Sequence, residues 1–277
     1  MKLSITTDYA KDTGNPSPYL KRIADAGFSH IHWCHHWNTD FVYSKWEIDQ
    51  IQKWLTKYGL KLLDLHGSTG KEKNWASERE YERLAGVELV KNRIEMAAQL
   101  QSNVIIMHVP AWPGCDSLHR SLDELEEFTR ERGVRIAIEN GNFEAIQTLL
   151  SEYDQSYLGL CYDSGHGNVA GNGLEQLESL KERLISVHLH DNDSSGDQHN
   201  LPFSGTVNWE RLAEIIAGSA YKKCANLEVS MRNSGIEDEV EFLRLAFETG
   251  MQFSKTIDAA KKKAAFVIKS NPATLPP

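Results

Sequence analysis

The chain has 277 residues, of which 40% are hydrophobic and 25% charged, and its formal net charge at pH 7 is −9. This length and apolar content suffice for one large hydrophobic core and are common in α/β barrels that form a single domain. The acidic excess argues against nucleic acid as the main partner, because a phosphate backbone calls for clustered Lys and Arg side chains.

Strand-like and helix-like segments alternate along the chain. Eight short runs rich in Ile, Leu and Val predict strands. They begin near Lys2, His30, Lys61, Asn103, Arg135, Leu158, Ile185 and Ala225. Helical patterns follow them over residues 17–26, 44–58, 77–101, 117–132, 143–152, 174–183, 208–217 and 237–249. Glycines stand where helix C-caps belong, at Gly27, Gly59, Gly133 and Gly250.

Eight βα units of ~25 to 40 residues predict a (β/α)8 barrel, in the α/β class. A doubly wound open sheet is the main alternative, but it would not normally bring residues from strands three to eight to one point. No internal linker or long repeat interrupts the chain, which indicates one domain over residues 1–277. Its last segment, residues 251–277, predicts a C-terminal helix with a solvated Lys-rich face and a frayed Pro-rich tail.

Metal-type side chains occur at or just beyond the ends of the later predicted strands. They are His66, His108, Glu139, Asp163, His166, His188 and Glu228, with Asp197 and His199 in the loop after strand seven. Parallel strands closed into a barrel would carry these residues to the end where such folds place their chemistry. His, Glu and Asp seldom lie at the end of a buried strand unless they are paired or bound to a ligand.

Four of these residues, Glu139, Asp163, His188 and Glu228, close four consecutive predicted strands at the same relative depth. Three carboxylates and one imidazole form an oxygen-rich site suited to Mn²⁺, Mg²⁺ or Co²⁺. A buried ion-pair network is the alternative, but three converging acids with one histidine would repel one another unless a cation neutralised them. The pattern therefore predicts a divalent-metal site.

The order of the segments IENG, YDSGH, VHLHD, DQHNLPFSGTVNW and NLEV resembles the xylose isomerase-like barrel superfamily over nearly the whole chain. That superfamily contains sugar and sugar-phosphate isomerases and epimerases, related dehydratases and apurinic-site endonucleases. In its isomerase branch, the resemblance implies that Glu139, Asp163, His188 and Glu228 bind one divalent ion. The two glutamates, Glu139 and Glu228, would also be the catalytic pair that transfers a proton.

Five further residues have two roles open to them under this resemblance. They are His66, His108, His166, Asp197 and His199. They match ligands with which the endonuclease branch builds a three-metal cluster, which would take Zn²⁺. In many isomerase members the equivalent groups orient substrate hydroxyls. The sequence Val-Pro-Ala-Trp after His108, in place of Pro-Gly, and the missing Tyr-Leu-Ile-Asn signature after His66 favour substrate binding.

The resemblance thus implies a metal-dependent isomerase or epimerase of a small sugar, sugar phosphate or polyol-derived ketone, acting through an enediolate. A dehydratase on the same site and an endonuclease IV-like phosphodiester hydrolase stay open as alternatives. Ser194 occupies the position where ketose 3-epimerases place an arginine, so the substrate need not be a free ketose.

The expected partner is a small sugar-like molecule, with neither nucleic acid nor membrane, and the sequence leaves open a homo-oligomer. No segment approaches the ~20 apolar residues that a membrane span requires. Cys34 and Cys161 lie in apolar strands without CxxC spacing, which favours free thiols in a reducing compartment. We therefore expect a soluble, cytoplasmic protein.

Other histidines are predicted to be structural. His30, His32, His35 and His36 crowd strand two, and each is predicted to be a hydrogen-bonded wall residue rather than a ligand. A substrate contact is the alternative for His35 and His36, which fall at the strand end. His190 shares the strand face of His188 and is predicted either at the pocket rim or as support for a ligand.

Overall fold

Eight parallel strands form the centre of the protein, whose computed structural model describes residues 1–38, 42–67, 74–110 and 116–270. The strands are β1 (Leu3–Thr6), β2 (His30–Trp33), β3 (Lys61–His66), β4 (Val104–Met107), β5 (Arg135–Glu139), β6 (Leu158–Asp163), β7 (Leu184–His188) and β8 (Ala225–Leu227). Their order in the sheet is β7-β6-β5-β4-β3-β2-β1-β8. Each begins within one residue of its predicted start.

The two outer strands of this order meet through backbone hydrogen bonds of Leu189, just beyond β7. Its N–H donates to the carbonyl of Asn226 at 2.9 Å, and its carbonyl accepts from the N–H of Glu228 at 3.2 Å. These bonds bring β7 against β8, so the sheet curves into a barrel.

Helices in the described part of the chain surround the barrel. They are α1 (Ser17–Asp25), α2 (Lys45–Tyr58), α3 (Glu80–Gln99), α4 (Asp116–Arg132), α5 (Phe143–Glu152), α6 (Ser164–Ala170), α7 (Gly173–Leu180), α8 (Trp209–Gly218) and α9 (Glu239–Ser270). The predicted (β/α)8 barrel in a single domain is confirmed. None of these described helices combines the length and the apolar character needed to span a lipid bilayer.

Local signals in the sequence set the ends of several helices. The Ser44 side chain accepts from the N–H of Glu47, and the Glu47 carboxylate accepts from the N–H of Ser44, which forms a capping box at the start of α2. The same helix ends at Gly59, whose φ of 69° is a left-handed conformation that glycine adopts without strain. These caps satisfy backbone groups that the helix itself leaves unpaired.

The barrel interior contains both apolar and polar side chains. Along β4, Ile105 and Met107 belong to the large core between strands and helices, whereas Val104 and Ile106 belong to a smaller cluster. This alternation places the smaller cluster inside the barrel. Polar groups also meet in the interior, where Asp64 of β3 accepts a hydrogen bond from the Ser186 hydroxyl of β7.

The predicted C-cap at Gly250 is wrong, because α9 continues without interruption from Glu239 to Ser270. A Cβ atom at Gly250 would lie 3.1 Å from side-chain atoms of both Leu3 and Leu227. The glycine therefore permits close packing of α9 on β1 and β8. Residues 251–270 of the predicted C-terminal helix belong to α9, and the predicted tail, residues 271–277, lies outside the described residues.

Helix α6 was not predicted, because its sequence SGHGNVA has low helix propensity. Its N-cap is Asp163, whose carboxylate accepts from the N–H of His166 at 2.7 Å. One candidate metal ligand therefore also begins the helix that carries the next candidate, His166.

Gly86 in α3 lies against the segment that supports one site histidine. A Cβ atom there would be 2.5 Å from the backbone nitrogen of Trp75, and the Trp75 indole N–H donates to the carbonyl of His108 at 3.2 Å. Backbone cannot yield as a flexible side chain does, so an added methyl must displace the segment.

We expect Gly86→Ala to lower the free energy of unfolding by about 1–3 kcal/mol, the usual cost of overpacking. The matched control is Gly218→Ala, since the nearest atom to a Cβ at that position, Lys181 Nζ, is 4.0 Å away. The free energy of unfolding of the control should lie within about 1 kcal/mol of the wild-type value or above it. Urea denaturation followed by circular dichroism measures both, and equal stabilities would contradict the packing argument.

Candidate metal centre

Candidate ligands from six strands converge at one end of the barrel. They lie at, or directly beyond, the C-terminal ends of β3 to β8. His66, Glu139, Asp163 and His188 are the last residues of β3, β5, β6 and β7, respectively. His108 and Glu228 follow β4 and β8 directly. The parallel strand order therefore assembles side chains that are up to 162 positions apart in the sequence, from His66 to Glu228.

The predicted quartet of Glu139, Asp163, His188 and Glu228 comes together with one ligand-type atom from each residue within 4.8 Å of the others. His188 Nδ1 lies 3.1 Å from Glu139 Oε1 and 3.1 Å from Glu228 Oε2. All four residues are buried, so water screens their charges poorly. Three buried carboxylates and one imidazole nitrogen are a donor set that fits one hard divalent ion.

Asp163 is oriented by hydrogen bonds from two directions. One carboxylate oxygen accepts from the N–H of His166, and the other accepts from Nε2 of the fully buried His190 at 3.0 Å. His190 is predicted either at the pocket rim or as support for a ligand, and this hydrogen bond agrees with the second prediction. Asn140 also fixes this strand end, since its side-chain amide donates to the carbonyl of Asp163 at 3.0 Å. Such outer contacts are typical of metal sites.

His66 and His108 converge on the second oxygen of Glu139. The two Nε2 atoms are 3.1 Å apart and lie 3.3 and 3.4 Å from Glu139 Oε2. Donors placed tetrahedrally around an ion at zinc-like bond lengths are separated by roughly 3.3–3.6 Å. Glu139 Oε2 is buried and has no hydrogen-bond partner among the described residues. These three atoms therefore fit a second ion with one open coordination position.

A third group contains His166, Asp197 and His199. Asp197 Oδ2 is 3.4 Å from His166 Nε2 and 3.0 Å from His199 Nε2. His199 has a positive φ of 52°, and its ring stacks on His190 with centroids 4.1 Å apart. All nine residues that the sequence analysis selected are thus brought to one end of the barrel.

Backbone carbonyls determine which nitrogen of three imidazoles carries the proton. Nδ1 of His66 donates to Gly67 at 2.9 Å, Nδ1 of His166 to Asn140 at 3.0 Å, and Nδ1 of His199 to Glu228 at 2.8 Å. A carbonyl oxygen only accepts, so Nδ1 must be the protonated atom. When these rings are neutral, Nε2 offers a lone pair to an ion, which is the usual arrangement of metal-binding histidines.

The charges of these groups shift one another's pKa values. Burial raises the pKa of the Glu139 carboxyl, but the facing imidazoles of His188, His66 and His108 bring that pKa well below its ordinary value. Burial lowers the pKa of His166, but the hydrogen bond to Asp197 and the negative charges of Asp163, Glu139 and Asp197 together outweigh burial and raise it to about 10. Protons on imidazoles therefore compensate the carboxylates when no cation does. A divalent ion competes with those protons for the same atoms.

Two buried residues beside the quartet, His32 and Asp64, are not among the predicted site residues: His32 is predicted to be a wall residue, and no role is predicted for Asp64. The signal was the aspartate within the apolar run KLLDLH, because a buried charge requires a partner. His30 and His35 are hydrogen-bonded wall residues as predicted, to Ser29 and to the carbonyl of Gly14. His32 differs from them because it reaches the quartet.

A family model described as "Xylose isomerase-like TIM barrel" matches residues 20–246 of this chain. The protein y4fM of Sinorhizobium fredii (strain NBRC 101917 / NGR234), itself uncharacterised, is 29% identical over 283 residues. The alignment covers 89% of this chain and 91% of that protein. The chain is therefore similar to y4fM over most of the length of both.

Two sugar epimerase structures share the fold. A D-tagatose 3-epimerase-like protein has a TM-score of 0.77 and 22% sequence identity, over 95% of this chain and all of that chain. An L-ribulose 3-epimerase has a TM-score of 0.78 and 14% identity, with 100% of each chain covered. At these sequence identities the comparison shows that the fold is shared.

We expect His188→Ala to bind Mn²⁺ at least about tenfold more weakly than the wild type while retaining a cooperative thermal transition. His188 is the one imidazole of the quartet, whereas the stability of the barrel comes from its apolar core. The matched control is His119→Ala, which removes an imidazole that contacts Glu152 on the outer helices. Titration calorimetry measures both variants. Wild-type affinity in His188→Ala would show that the quartet is assigned incorrectly.

Proposed function

Because this chain belongs to the family of xylose isomerase-like TIM barrels, we propose that it is a divalent-metal-dependent isomerase or epimerase. Its substrate would be a small sugar, a sugar phosphate or a polyol-derived ketone. One observation carries the proposal: Glu139 and Glu228 contact the same atom, His188 Nδ1, at 3.1 Å each. They reach it from β5 and from the end of β8, so a small molecule bound above His188 would meet both carboxylates.

A bound Mn²⁺, Mg²⁺ or Co²⁺ would supply Lewis-acid stabilisation of the negative charge that develops on a substrate oxygen during proton removal. Glu228 is the stronger candidate for the base, since 11% of its side chain is exposed against 1% for Glu139. Its Oε1 atom makes no hydrogen bond to His32 Nε2, which is 3.8 Å away. A carboxylate oxygen that binds an ion with one lone pair keeps another for a substrate proton. Glu139 would return the proton.

We assign substrate positioning to the remaining candidates at the mouth of the barrel. Side-chain exposure is 44% for His108, 42% for Asp197 and 31% for His199, whereas His166 and His66 lie deeper. Partly exposed imidazoles and a carboxylate can exchange hydrogen bonds with water for hydrogen bonds with hydroxyl groups. A polyhydroxylated substrate would therefore be recognised by these five residues.

We place this activity in the cytoplasm. Cys34, Cys161 and Cys224 are free thiols, as is usual in a reducing compartment, and Cys115 lies outside the described residues.

The test of this function is proton exchange from a panel of substrates. Ketoses, aldoses and inosose-type ketones are incubated with the protein and Mn²⁺ in D₂O, and deuterium incorporation at carbon is followed by NMR. Incorporation into at least one member, dependent on Mn²⁺, is the expected result. No exchange in any sugar or polyol-derived ketone would argue against the proposal.

We expect Glu228→Gln to retain the metal and to lose roughly 10²-fold or more of the turnover, the usual size of a general acid–base contribution. Glutamine keeps an oxygen donor and a similar volume but cannot take up a proton at neutral pH. The control is Glu210→Gln in the first turn of α8, an exposed carboxylate that is not among the candidate ligands. If deuterium exchange is unchanged in Glu228→Gln, another group is the base.

A phosphodiester hydrolase with a multi-metal cluster is the second candidate. The specific observation in its favour is the triangle of His66, His108 and Glu139 atoms, with edges of 3.1, 3.3 and 3.4 Å that suit tetrahedral Zn²⁺. Clusters of this kind clamp the attacking and leaving oxygens of a phosphodiester. In such a hydrolase, His66 and His108 would bind a metal ion instead of contacting the substrate.

We nevertheless expect no significant cleavage of a duplex that contains an abasic site, even with Zn²⁺ present. The loop after β7 exposes Asp193 and Asp197, which would repel a phosphate backbone, although Asp191 is buried by its contact with Trp209. Two further segments predicted as loops at this end, residues 37–41 and 112–116, are acidic or aromatic in sequence, and their residues 39–41 and 112–115 lie outside the described residues.

The assay incubates the protein and Zn²⁺ with a labelled abasic duplex at low salt, where electrostatic attraction to DNA is strongest. A matched intact duplex gives the background rate. Turnover of the abasic duplex at an ordinary enzyme rate would replace the epimerase proposal by one of repair.

A further inference from the structure

His32 of β2 lies directly against the quartet, inside the barrel. It is fully buried, and its ring centroid is 4.6 Å from that of His188. Its Nε2 atom is 3.8 Å from Glu228 Oε1. His32, His188 and Glu228 each offer one ligand-type atom within 4.8 Å of the others. The imidazole is therefore near enough to share an ion with the quartet.

The register between β2 and β3 pairs His32 with a buried carboxylate. A shift between Ile31 and His32 places His32 opposite Asp64, whereas an unbroken register would place it opposite Leu63. Asp64 Oδ1 is 2.8 Å from His32 Nδ1, and the other Asp64 oxygen accepts from the Ser186 hydroxyl. An ionised carboxylate only accepts hydrogen bonds, so Nδ1 of His32 must donate.

The other ring nitrogen of His32, Nε2, is buried and has no hydrogen bond within the described part of the chain. With the ring neutral, its lone pair faces the carboxylate of Glu228, and two acceptors repel unless a cation lies between them. Their separation of 3.8 Å is too long for a hydrogen bond. Two ligands of one ion, each about 2.0–2.2 Å from it, can be up to about 4.4 Å apart.

We propose that His32, held by Asp64 and Ser186, is a further ligand of the divalent ion at the quartet. This inference rests on the metal site of the proposed function, and it adds a second neutral nitrogen donor to a set dominated by carboxylates. Nitrogen donors favour Co²⁺ and similar transition metals over Mg²⁺. The Asp64–His32 pair thus makes the site prefer a transition metal over Mg²⁺.

The test compares His32→Gln with His30→Gln, a control on the same strand whose imidazole hydrogen-bonds to Ser29. Co²⁺ affinity is measured by competition with a chromogenic chelator, and the visible spectrum of the Co²⁺-loaded protein reports its ligands. We expect His32→Gln to bind Co²⁺ at least about tenfold more weakly, with a shifted absorption band, as loss of a ligand or its support usually weakens metal sites. Mg²⁺ affinity should change less, and His30→Gln should match the wild type.

Asp64→Asn is the second variant, for the case that His32→Gln does not fold. It keeps the volume and an acceptor at position 64, and we expect Co²⁺ affinity about tenfold below the wild type. Wild-type affinity and spectrum in either folded variant would overturn the role of His32. If the wild type binds no Co²⁺, or if His188→Ala binds it normally, the quartet itself fails as the metal site. These outcomes separate failure of the inference from failure of the proposed function.

Discussion

The burial of three carboxylates at one end of the barrel is the constraint on which the rest of the structure depends. Glu139, Asp163 and Glu228 lie around His188, away from solvent. Their mutual repulsion in a medium of low dielectric constant must be offset by protonated imidazoles or by a cation. The histidines at the strand ends can offset this repulsion when they are protonated. A divalent ion can also offset it, and the oxygen-rich donor set suits such an ion.

The strand ends contribute to this site twice, once with side chains and once with backbone. Glu139 supplies a carboxylate, and the next residue, Asn140, supplies the carbonyl that accepts from His166. Glu228 likewise offers its carboxylate to the site and its own carbonyl to His199. The carboxylates and the histidine-binding carbonyls therefore come from the same strand ends. A rigid parallel barrel holds such a site with little loss of conformational entropy on binding.

Much of the fold and most of the candidate site could be predicted, because both depend on patterns local to each strand. The Ile, Leu and Val runs define the strands, and the histidines and acids at or just beyond the ends of β3 to β8 must meet once the strands are parallel. The pairing of His32 with Asp64 could not be predicted, since it depends on a register shift between neighbouring strands. The C-cap predicted at Gly250 is wrong for a related reason. Glycine is typical of a helix C-cap, but here the packing of α9 against Leu3 and Leu227 requires it.

The most direct measurement of the central claim is the metal content of the protein by elemental analysis, after loading with excess Mn²⁺ and exhaustive dialysis against metal-free buffer. An epimerase-type centre predicts one tightly held ion per chain, at the buried Glu139, Asp163, His188 and Glu228. Three ions per chain would favour the cluster of the hydrolase branch. A chain that retains no metal would contradict the account, since it would mean that imidazolium protons alone neutralise the buried carboxylates.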